Sequence, residues 1–157
     1  MPNSKIRKFS LAVMLTAGVT GLQVAAASAQ ASSPSEIEGV WETEEGNFKF
    51  EVFDAGGTFA ARVIYGDRLM EADRKTFKKD IHNPDPKLRG RSLEGITFLT
   101  DLKWDPQNRR WENGKFYDGS SGRTYSGQAT IQDGALELRG YAGIPLLGRT
   151  MVLYRSQ

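Results

Sequence analysis

The sequence predicts an all-β domain, an antiparallel up-and-down β-barrel of about eight strands with one long loop between the third and fourth strands. Two observations support this fold class. Runs of β-forming residues recur along the chain, and short segments rich in Gly, Asp and Asn separate nearly all of them. Strands joined by hairpins pair antiparallel with their sequence neighbours, and closure of the sheet removes its exposed edges. A β-sandwich is the alternative architecture.

The first three strands come before the long loop. The segment FKFEVF alternates, with Phe48, Phe50 and Val52 on one face, as a half-buried strand requires. The sequence DAGG that follows is typical of a hairpin turn. The three strands are expected at 39–43, 48–53 and 58–65.

The segment from Gly66 to Ser92 is rich in charge and shows neither strand alternation nor regular helical spacing. We expect a long loop with one helical turn, and a stretch of this length in a compact domain is usually functional or a lid. A bulge is expected in the fifth strand at Asn113–Gly114. The five strands after the loop are expected at 95–104, 109–117, 123–131, 135–140 and 148–155.

Residues 1–31 are predicted to be a secretory signal peptide, which leaves 32–157 as a single barrel domain. Three basic residues precede an apolar run, and small residues then allow cleavage after Ala29 or Ala31. Glycines and a glutamine interrupt the run, which is shorter than the ~20 apolar residues of a membrane span. The mature protein is therefore expected to have no membrane span.

The composition excludes several classes of function. Removal of the three basic residues of the signal peptide takes the basic total from 21 to 18, against 19 acidic residues. A domain so close to neutrality gives no electrostatic support to nucleic-acid binding. The chain has no cysteine, which excludes disulfides, thiol catalysis and thiolate metal sites.

Two residues near the ends of the domain indicate a barrel closed by an indole. Trp41 stands in a Gly-Val-Trp sequence at the start of the first strand, and Arg155 lies near the end of the last. This arrangement is similar to that of lipocalins and related calycins, in which the tryptophan plugs the closed end and an arginine packs across its ring. The resemblance implies structural roles for Trp41 and Arg155, and a guanidinium stacked on an indole contributes roughly 0.5–2 kcal/mol.

A longer pattern of residues runs through the whole domain. It comprises Asp80, Asn83-Pro84-Asp85-Pro86, Leu88-Arg89-Gly90-Arg91, Leu93, Gly95, Trp111, Gly114-Lys115, Tyr117, Gly122, Tyr125, Leu136, Leu138-Arg139-Gly140 and Tyr154-Arg155. This pattern resembles one family of exported bacterial proteins, grouped as domain of unknown function 2147. The similarity spans about 37–155, and it implies a signal peptide, a periplasmic location and a calycin-like barrel, with no activity assigned. This chain departs from the family at Tyr141, where a cysteine is common, and near Leu153, where a tryptophan is common.

The stretch HNPDPKLRGR at 82–91 has two interpretations. Its two prolines restrict the backbone, so that Asn83 and Arg89 would be held towards a ligand, with the guanidinium binding a carboxylate or phosphate. Alternatively, Asn83 and the nearby Asp80 cap a turn, and Arg89 ties the loop to the barrel rim. In either case we expect a rigid flap over one mouth of the barrel.

No metal site, cofactor or catalytic group is predicted. His82 is the single histidine, whereas zinc sites draw three or four protein ligands. A Ser-His-Asp triad would lack its Gly-x-Ser-x-Gly elbow. Hydrolysis by a carboxylate pair, such as Asp101 with Glu137, stays as a third hypothesis, although acidic residues on strands usually face solvent.

Two functional hypotheses follow from the aromatic content. In the first, the barrel is a non-catalytic binder of a small apolar or amphipathic molecule, because small barrels hold side chains or one small ligand. Tyr65, Trp111 and Tyr125 would line its mouth, and Arg139 and Arg89 would anchor an acidic end. In the second, the barrel is filled, and the long loop meets a protein or cell-wall partner as an envelope interaction or stress-related module. An open pocket would favour the first hypothesis.

Overall fold

The computed structural model describes residues 29–156, and they form one closed β-barrel in which each strand pairs antiparallel with its sequence neighbours. The predicted all-β barrel is confirmed, and the strand boundaries lie close to those expected. The strands are β1 (Gly39–Glu42), β2 (Phe48–Asp54), β3 (Phe59–Gly66), β4 (Thr97–Asp105), β5 (Arg110–Asp118), β6 (Arg123–Gln132), β7 (Ala135–Tyr141) and β8 (Arg149–Arg155).

Helical structure in the described part of the chain is limited to short 3₁₀ turns, at Pro34–Ile37, Asp67–Leu69, Pro86–Leu88 and Pro145–Leu147. The predicted bulge in β5 is present, because the register shifts between Trp111 and Gly114. The predicted signal peptide lies outside the described residues, except for its last three positions.

The barrel has two ends of different construction. We call one the plug end; it holds the start of β1, the end of β8 and the turns β2–β3, β4–β5 and β6–β7. The other is the loop end, which holds the β1–β2 turn, the long loop 67–96 and the β5–β6 turn. It also holds the segment 142–148 between β7 and β8, which we call the link.

The plug end is closed by an indole. Trp41 is buried, the Cζ atom of Arg155 lies 4.3 Å from its ring centroid, and the indole Nε1 donates to the carbonyl of Ile37 at 2.8 Å. The Arg155 guanidinium also donates to the backbone carbonyls of Glu36 and Glu38. One arginine thus fixes the indole and the 3₁₀ turn that covers the barrel end.

Gly39 explains why the first strand opens with a glycine. Its φ is +118°, and a Cβ at this position would lie 2.5 Å from Nη1 of Arg155. A side chain here would collide with the guanidinium and would also strain the backbone. The Gly-Val-Trp sequence is therefore needed for the close approach of β8 to the start of β1.

The seam between β1 and β8 is short. Only Trp41 with Arg155 and Glu42 with Tyr154 are paired across it. Within residues 29–156, no backbone hydrogen bond joins the first five residues of β8, 149–153, to β1 or to the β1–β2 turn. This edge of β8 is unpaired at the loop end.

Aromatic and aliphatic side chains fill the plug half of the interior. Trp111 is fully buried, lies 4.6 Å from Trp104 between ring centroids, and donates its Nε1 to the carbonyl of Pro34 at 3.2 Å. Other fully buried side chains are Phe50, Leu99, Leu102, Leu136 and Leu153. This half of the barrel is a packed core.

Three glycines form a row on the inner wall, because Gly114 pairs with Gly127 and Gly127 with Gly140. A Cβ at Gly114 would lie 2.8 Å from Leu102, and one at Gly127 would lie 3.3 Å from Leu99. The first two glycines therefore make room for leucines of β4. A Cβ at Gly140 would have no neighbouring atom within 4 Å, so the third glycine leaves the wall uncovered.

Replacement of the plug tests whether the fold depends on it. We expect Trp41→Ala to lower the free energy of unfolding by about 3–5 kcal/mol, because it empties a buried site that the surroundings cannot refill. Urea denaturation measures this change. Tyr154→Ala, on the exposed face of the same seam, is the control and should cost about 0.5 kcal/mol. Equal effects of the two variants would contradict the role of the indole.

Candidate functional site

A buried carboxylate holds the long loop to the barrel. Asp80 is 0% exposed and accepts hydrogen bonds from the Tyr117 hydroxyl at 2.5 Å and from Asn83 Nδ2 at 2.7 Å. Its ionic partner is Arg91, whose Nε and Nη2 lie 3.0 and 2.9 Å from Oδ2. The charge of Asp80 is thus neutralised and hydrogen-bonded, as burial requires. We call these four residues the Asp80 cluster.

The loop backbone folds around this cluster. The amide of Asp80 donates to the carbonyl of Arg91 at 3.0 Å, and Asn83 Oδ1 accepts the amide of Asp85 at 2.9 Å. Arg89 donates its Nε to the carbonyl of Asn83 at 2.8 Å. Asn83 is only 4% exposed. The polar groups of Asn83 and the Nε of Arg89 therefore stabilise the loop.

The loop also docks on the turn between β5 and β6. Gly122 has a φ of +70°, and a Cβ there would lie 1.8 Å from the carbonyl oxygen of His82. Leu93 is buried and packs over Gly119 in the same turn. The side chain of His82 is exposed. The loop thus covers the rim from β3 to the β5–β6 turn.

Tyr117 has a perturbed acidity. Burial, followed by the hydrogen bond and negative charge of Asp80, raises the pKa of this phenol to about 12. Ionisation would place a second negative charge beside a buried carboxylate, which both effects oppose. Tyr117 therefore acts in the folded protein as a neutral donor to Asp80.

The remaining arc of the loop end, from β6 to β8, carries only the link. Four side chains with inward positions at this end are still partly exposed to solvent: Phe48, Phe116, Tyr125 and Met151. Phe116 and Tyr125 are cross-strand partners. Phe48 and Phe116 also pack edge-on against the buried ring of Phe98, at 5.4 and 5.3 Å between ring centroids. Together with the uncovered Gly140, the partly exposed faces of these residues form a largely apolar patch on the inner rim, which we call the mouth.

A positively charged side chain, that of Arg149, lies at the edge of the mouth. Arg149 pairs with Gly140 across β7 and β8, so its side chain lies on the inner face of the wall. It is exposed, and none of the ion pairs among residues 29–156 includes it. An inner-face guanidinium beside an uncovered glycine is suited to bind an acidic group.

The other residues expected to contact a ligand lie elsewhere. Tyr65 pairs with Lys49 on the outer face, and its hydroxyl donates to Asp67 at 2.5 Å. Trp111 is enclosed at the plug end. Arg139 is on the outer face, where it binds the link. With Asn83 and Arg89 in the loop, only Tyr125 of the predicted set is brought to the mouth.

Sequence reasoning missed Gly140, Arg149 and Met151. Their signal is the two-residue periodicity of β7 and β8: Leu136, Leu138 and Gly140 share a face, as do Arg149, Met151 and Leu153. This periodicity identifies mouth residues only when the pairing of β7 with β8 is known, and the link between them has no hairpin sequence that would indicate the pairing. The aromatic residues are easier to select from the sequence as candidate ligand contacts.

A recess lies at the plug end. It has a volume of about 460 Å³ and is lined by Pro34, Asp54, Gly57, Phe59, Lys103 and Trp104. The carboxylate of Asp54 already accepts the amides of Gly56 and Gly57. The recess therefore offers a guest mainly the two rings and the amine of Lys103.

Clustered metal ligands and paired carboxylates are the groups that hydrolytic chemistry would need. Within residues 29–156, no group of three or more His, Asp or Glu side chains is placed to hold a metal ion. Asp101 forms an ion pair with Lys115 at 3.0 Å. It lies on β4 and Glu137 on β7, and these strands are not neighbours, so the two carboxylates do not form a pair across a hydrogen-bonded strand pair.

An eight-stranded antiparallel barrel in sequence order, plugged by a tryptophan under an arginine, defines a lipocalin-like protein. The chain belongs to the family described as an uncharacterised protein conserved in bacteria, domain of unknown function 2147, whose profile matches residues 39–155. The family resemblance drawn from the sequence is confirmed.

One solved structure supports the same class. It is that of protein HP1028 from the human pathogen Helicobacter pylori, described as belonging to the lipocalin family. The two chains are 31% identical, the match covers 77% of this chain and 83% of HP1028, and the TM-score is 0.65. No curated protein sequence matches the chain. Among residues 29–156, no helix is long and apolar enough to cross a membrane.

Removal of the buried carboxylate should release the loop. We expect Asp80→Ala to lower the free energy of unfolding by about 3 kcal/mol, because Arg91, Asn83 and Tyr117 lose their common acceptor. Trypsin should then cut the loop faster at its lysines. Glu94→Ala, an exposed site in the same loop, is the control. Unchanged proteolysis of the Asp80 variant would show that the cluster does not hold the loop.

The acidity of Tyr117 predicts a pH dependence. Its folded pKa of about 12 exceeds the unfolded value near 10, so its contribution to stability is complete below about pH 10 and is lost as the pH rises towards 12. In an ultraviolet titration one of the five tyrosines should ionise late. Tyr117→Phe should remove that late step, and its persistence would assign it to another tyrosine.

Proposed function

We propose that this protein is an exported, non-catalytic binder of a small apolar or amphipathic molecule, and that the molecule occupies the mouth. The observation that carries the proposal is the partial exposure of inner-wall residues at the loop end. Phe116 packs on the buried ring of Phe98 yet keeps part of its own ring exposed, and its cross-strand partner Tyr125 is also partly exposed. An apolar surface with few polar groups is the usual lining of a small-molecule site.

The chemistry of the mouth indicates how a guest would be held. An apolar tail would lie against Phe116, Tyr125 and Met151, over the bare backbone of Gly140. Burial of each methylene contributes about 0.8 kcal/mol. Arg149 would bind a carboxylate or other acidic head at the rim. It would thus anchor the acidic end of the ligand, which was predicted for Arg139 and Arg89.

A binding role is also consistent with the state of the polar groups. Asp80 and Tyr117 are the buried titratable pair, and each is fully engaged in holding the loop. Neither is placed in the mouth beside a nucleophile or a metal ligand, which a catalytic site would require. The loop therefore serves as a rigid cover over the opposite arc of the rim.

Export to the periplasm is part of the same proposal, and cleavage after Ala29 fits the packing better than cleavage after Ala31. Ala31 is fully buried and donates its amide to Ile131 at 3.3 Å. Gln30 forms a bridge with Gln132. Cleavage after Ala29 keeps both contacts, so mass spectrometry of the mature protein should find Gln30 as its first residue.

A larger side chain at Gly140 would test directly whether the mouth is the binding site. We expect Gly140→Val to weaken binding of the dye anilinonaphthalene sulfonate about tenfold, because a Cβ at this position meets no atom within 4 Å and the new side chain would cover the bare backbone of the mouth. Ser126→Val, on the outer face of β6, is the control. Dye fluorescence measures binding, and urea denaturation checks that both variants fold.

Two results would count against this site. Full dye binding by Gly140→Val, with loss of binding in Trp104→Ala, would move the guest to the plug-end recess. No binding of the dye or of dodecanoate by the wild-type protein would favour the alternative, an envelope interaction module. The filled plug half of the barrel is the observation that favours that alternative.

The acidic head can be tested separately from the tail. Arg149→Gln should weaken binding of dodecanoate about tenfold and leave binding of dodecanol nearly unchanged, because only the carboxylate needs the guanidinium. Arg62→Gln, which removes an arginine on the outer face of β3, is the control. Equal losses for both guests would show that Arg149 acts on the shape of the mouth and not on charge.

A further inference from the structure

The link presents three large aliphatic side chains to solvent. Leu146 is 81% exposed, Leu147 is 76% exposed and Ile144 is 55% exposed. They lie within four consecutive positions, on a short segment beside the mouth. Isolated exposed aliphatic residues are common on protein surfaces, but a cluster at a single tip usually marks a contact site.

Hydrogen bonds hold the link in this exposed position. Arg139 donates its Nε to the carbonyl of Pro145 at 2.7 Å and its Nη2 to that of Leu146 at 3.1 Å, while its Nη1 binds the Thr150 hydroxyl at 2.6 Å. Gly148 is closely packed, because a Cβ there would lie 2.7 Å from the carbonyl of Gly140. The leucines are therefore displayed on a braced backbone.

The charge along the link and the two strands that it joins has one sign from Leu138 onward. From Leu138 to Gln157 the sequence contains Arg139, Arg149 and Arg155 and no acidic residue. Arg155 belongs to the plug end and Arg139 is occupied by the link carbonyls. Arg149, directly after the link, is exposed. Apolar side chains at the tip and a cation at its base are complementary to a surface in which acidic groups cover an apolar layer.

We propose that the link is a docking tip for an anionic lipid surface. Leu146 and Leu147 would enter the boundary between headgroups and acyl chains, with Ile144 beside them, and Arg149 would lie at the level of the lipid phosphates. Apolar burial and attraction to anionic lipids are the two terms that hold peripheral proteins on membranes. This contact goes beyond the proposed function, since it involves the outside of the barrel.

A lipid surface fits the tip better than a second protein does. Stable protein pairs bury roughly 800 Å² per partner with matched shapes. Three side chains on a short turn provide far less area than this, even together with the exposed Val152 and Tyr154 on the outer face of β8. A bilayer accepts a convex tip without a shaped partner surface.

Docking through the link would also place the mouth next to the lipid surface. The link forms the part of the rim between β7 and β8, and Gly140 and Arg149 flank it on the inner wall. A protein that rests on its link would therefore hold the mouth against the lipid surface. An amphipathic guest could then pass between the bilayer and the mouth with little exposure of its tail to water.

Vesicle flotation tests the docking tip. The mature protein is purified from cells that express the full chain. It is then mixed with vesicles of phosphatidylglycerol and phosphatidylethanolamine, or of phosphatidylcholine alone. We expect binding to the anionic vesicles, a loss of about tenfold in the double variant Leu146→Ser, Leu147→Ser, and weaker binding at high salt. Ile64→Ser, at an exposed position of β3, is the matched control and should bind as the wild type does.

A fluorescent reporter identifies which part of the surface enters the lipid. In Leu147→Trp the added indole should shift its emission to shorter wavelength when anionic vesicles are added, whereas Ile64→Trp should show no such shift. Binding by the wild type that is unchanged in the double serine variant would overturn the proposal. So would concentration-dependent dimerisation that requires the leucines without any vesicle binding.

Different results would contradict the docking tip and the proposed function. The double serine variant should bind dodecanoate as the wild type does, because its substitutions lie outside the mouth. Loss of vesicle binding with retained dodecanoate binding supports the docking tip, whereas vesicle binding by a protein that takes no guest would support the tip and contradict the proposed function.

Discussion

The structure depends on one contact, the packing of the Arg155 guanidinium on the indole of Trp41. It joins the first strand to the last, and through Glu36 and Glu38 it also fixes the 3₁₀ turn that covers the plug end. The seam has only two residue pairs, so the strand ladder alone gives little closure. Because the chain has no disulfide, this contact and the core behind it must keep the cylinder shut.

The inner wall is divided into a covered part and an uncovered part, and the glycine row spans both. At Gly114 and Gly127 the missing side chains let leucines of β4 fill the barrel, while at Gly140 no atom takes the place of the side chain. The same residue type therefore gives core at two positions and bare backbone at the third. The Asp80 cluster preserves this division, since it keeps the long loop on the opposite arc of the rim.

Much of the barrel could be predicted from the sequence, because alternation and turn residues are local signals. The bulge at Asn113–Gly114 and the strand order belong to this category. The site was less accessible. The Asn-Pro-Asp-Pro stretch carries polar groups suited to a ligand, yet Asp80 and Tyr117, which lie far apart in sequence, use them for folding. Arg139 and Arg149 differ in role by strand face, which depends on a register that composition does not reveal.

The brevity of β1 has a consequence for the shape of any guest. Since residues 149–153 of β8 have no hydrogen-bonded neighbour on one side, the strand ladder has a gap from the rim downward, next to Arg149 and Met151. A guest bound as proposed would not be limited to the area of the mouth, because a long chain could extend sideways along this unpaired edge. The fold would then tolerate linear compounds of varied length and select them by the head and the first few carbons.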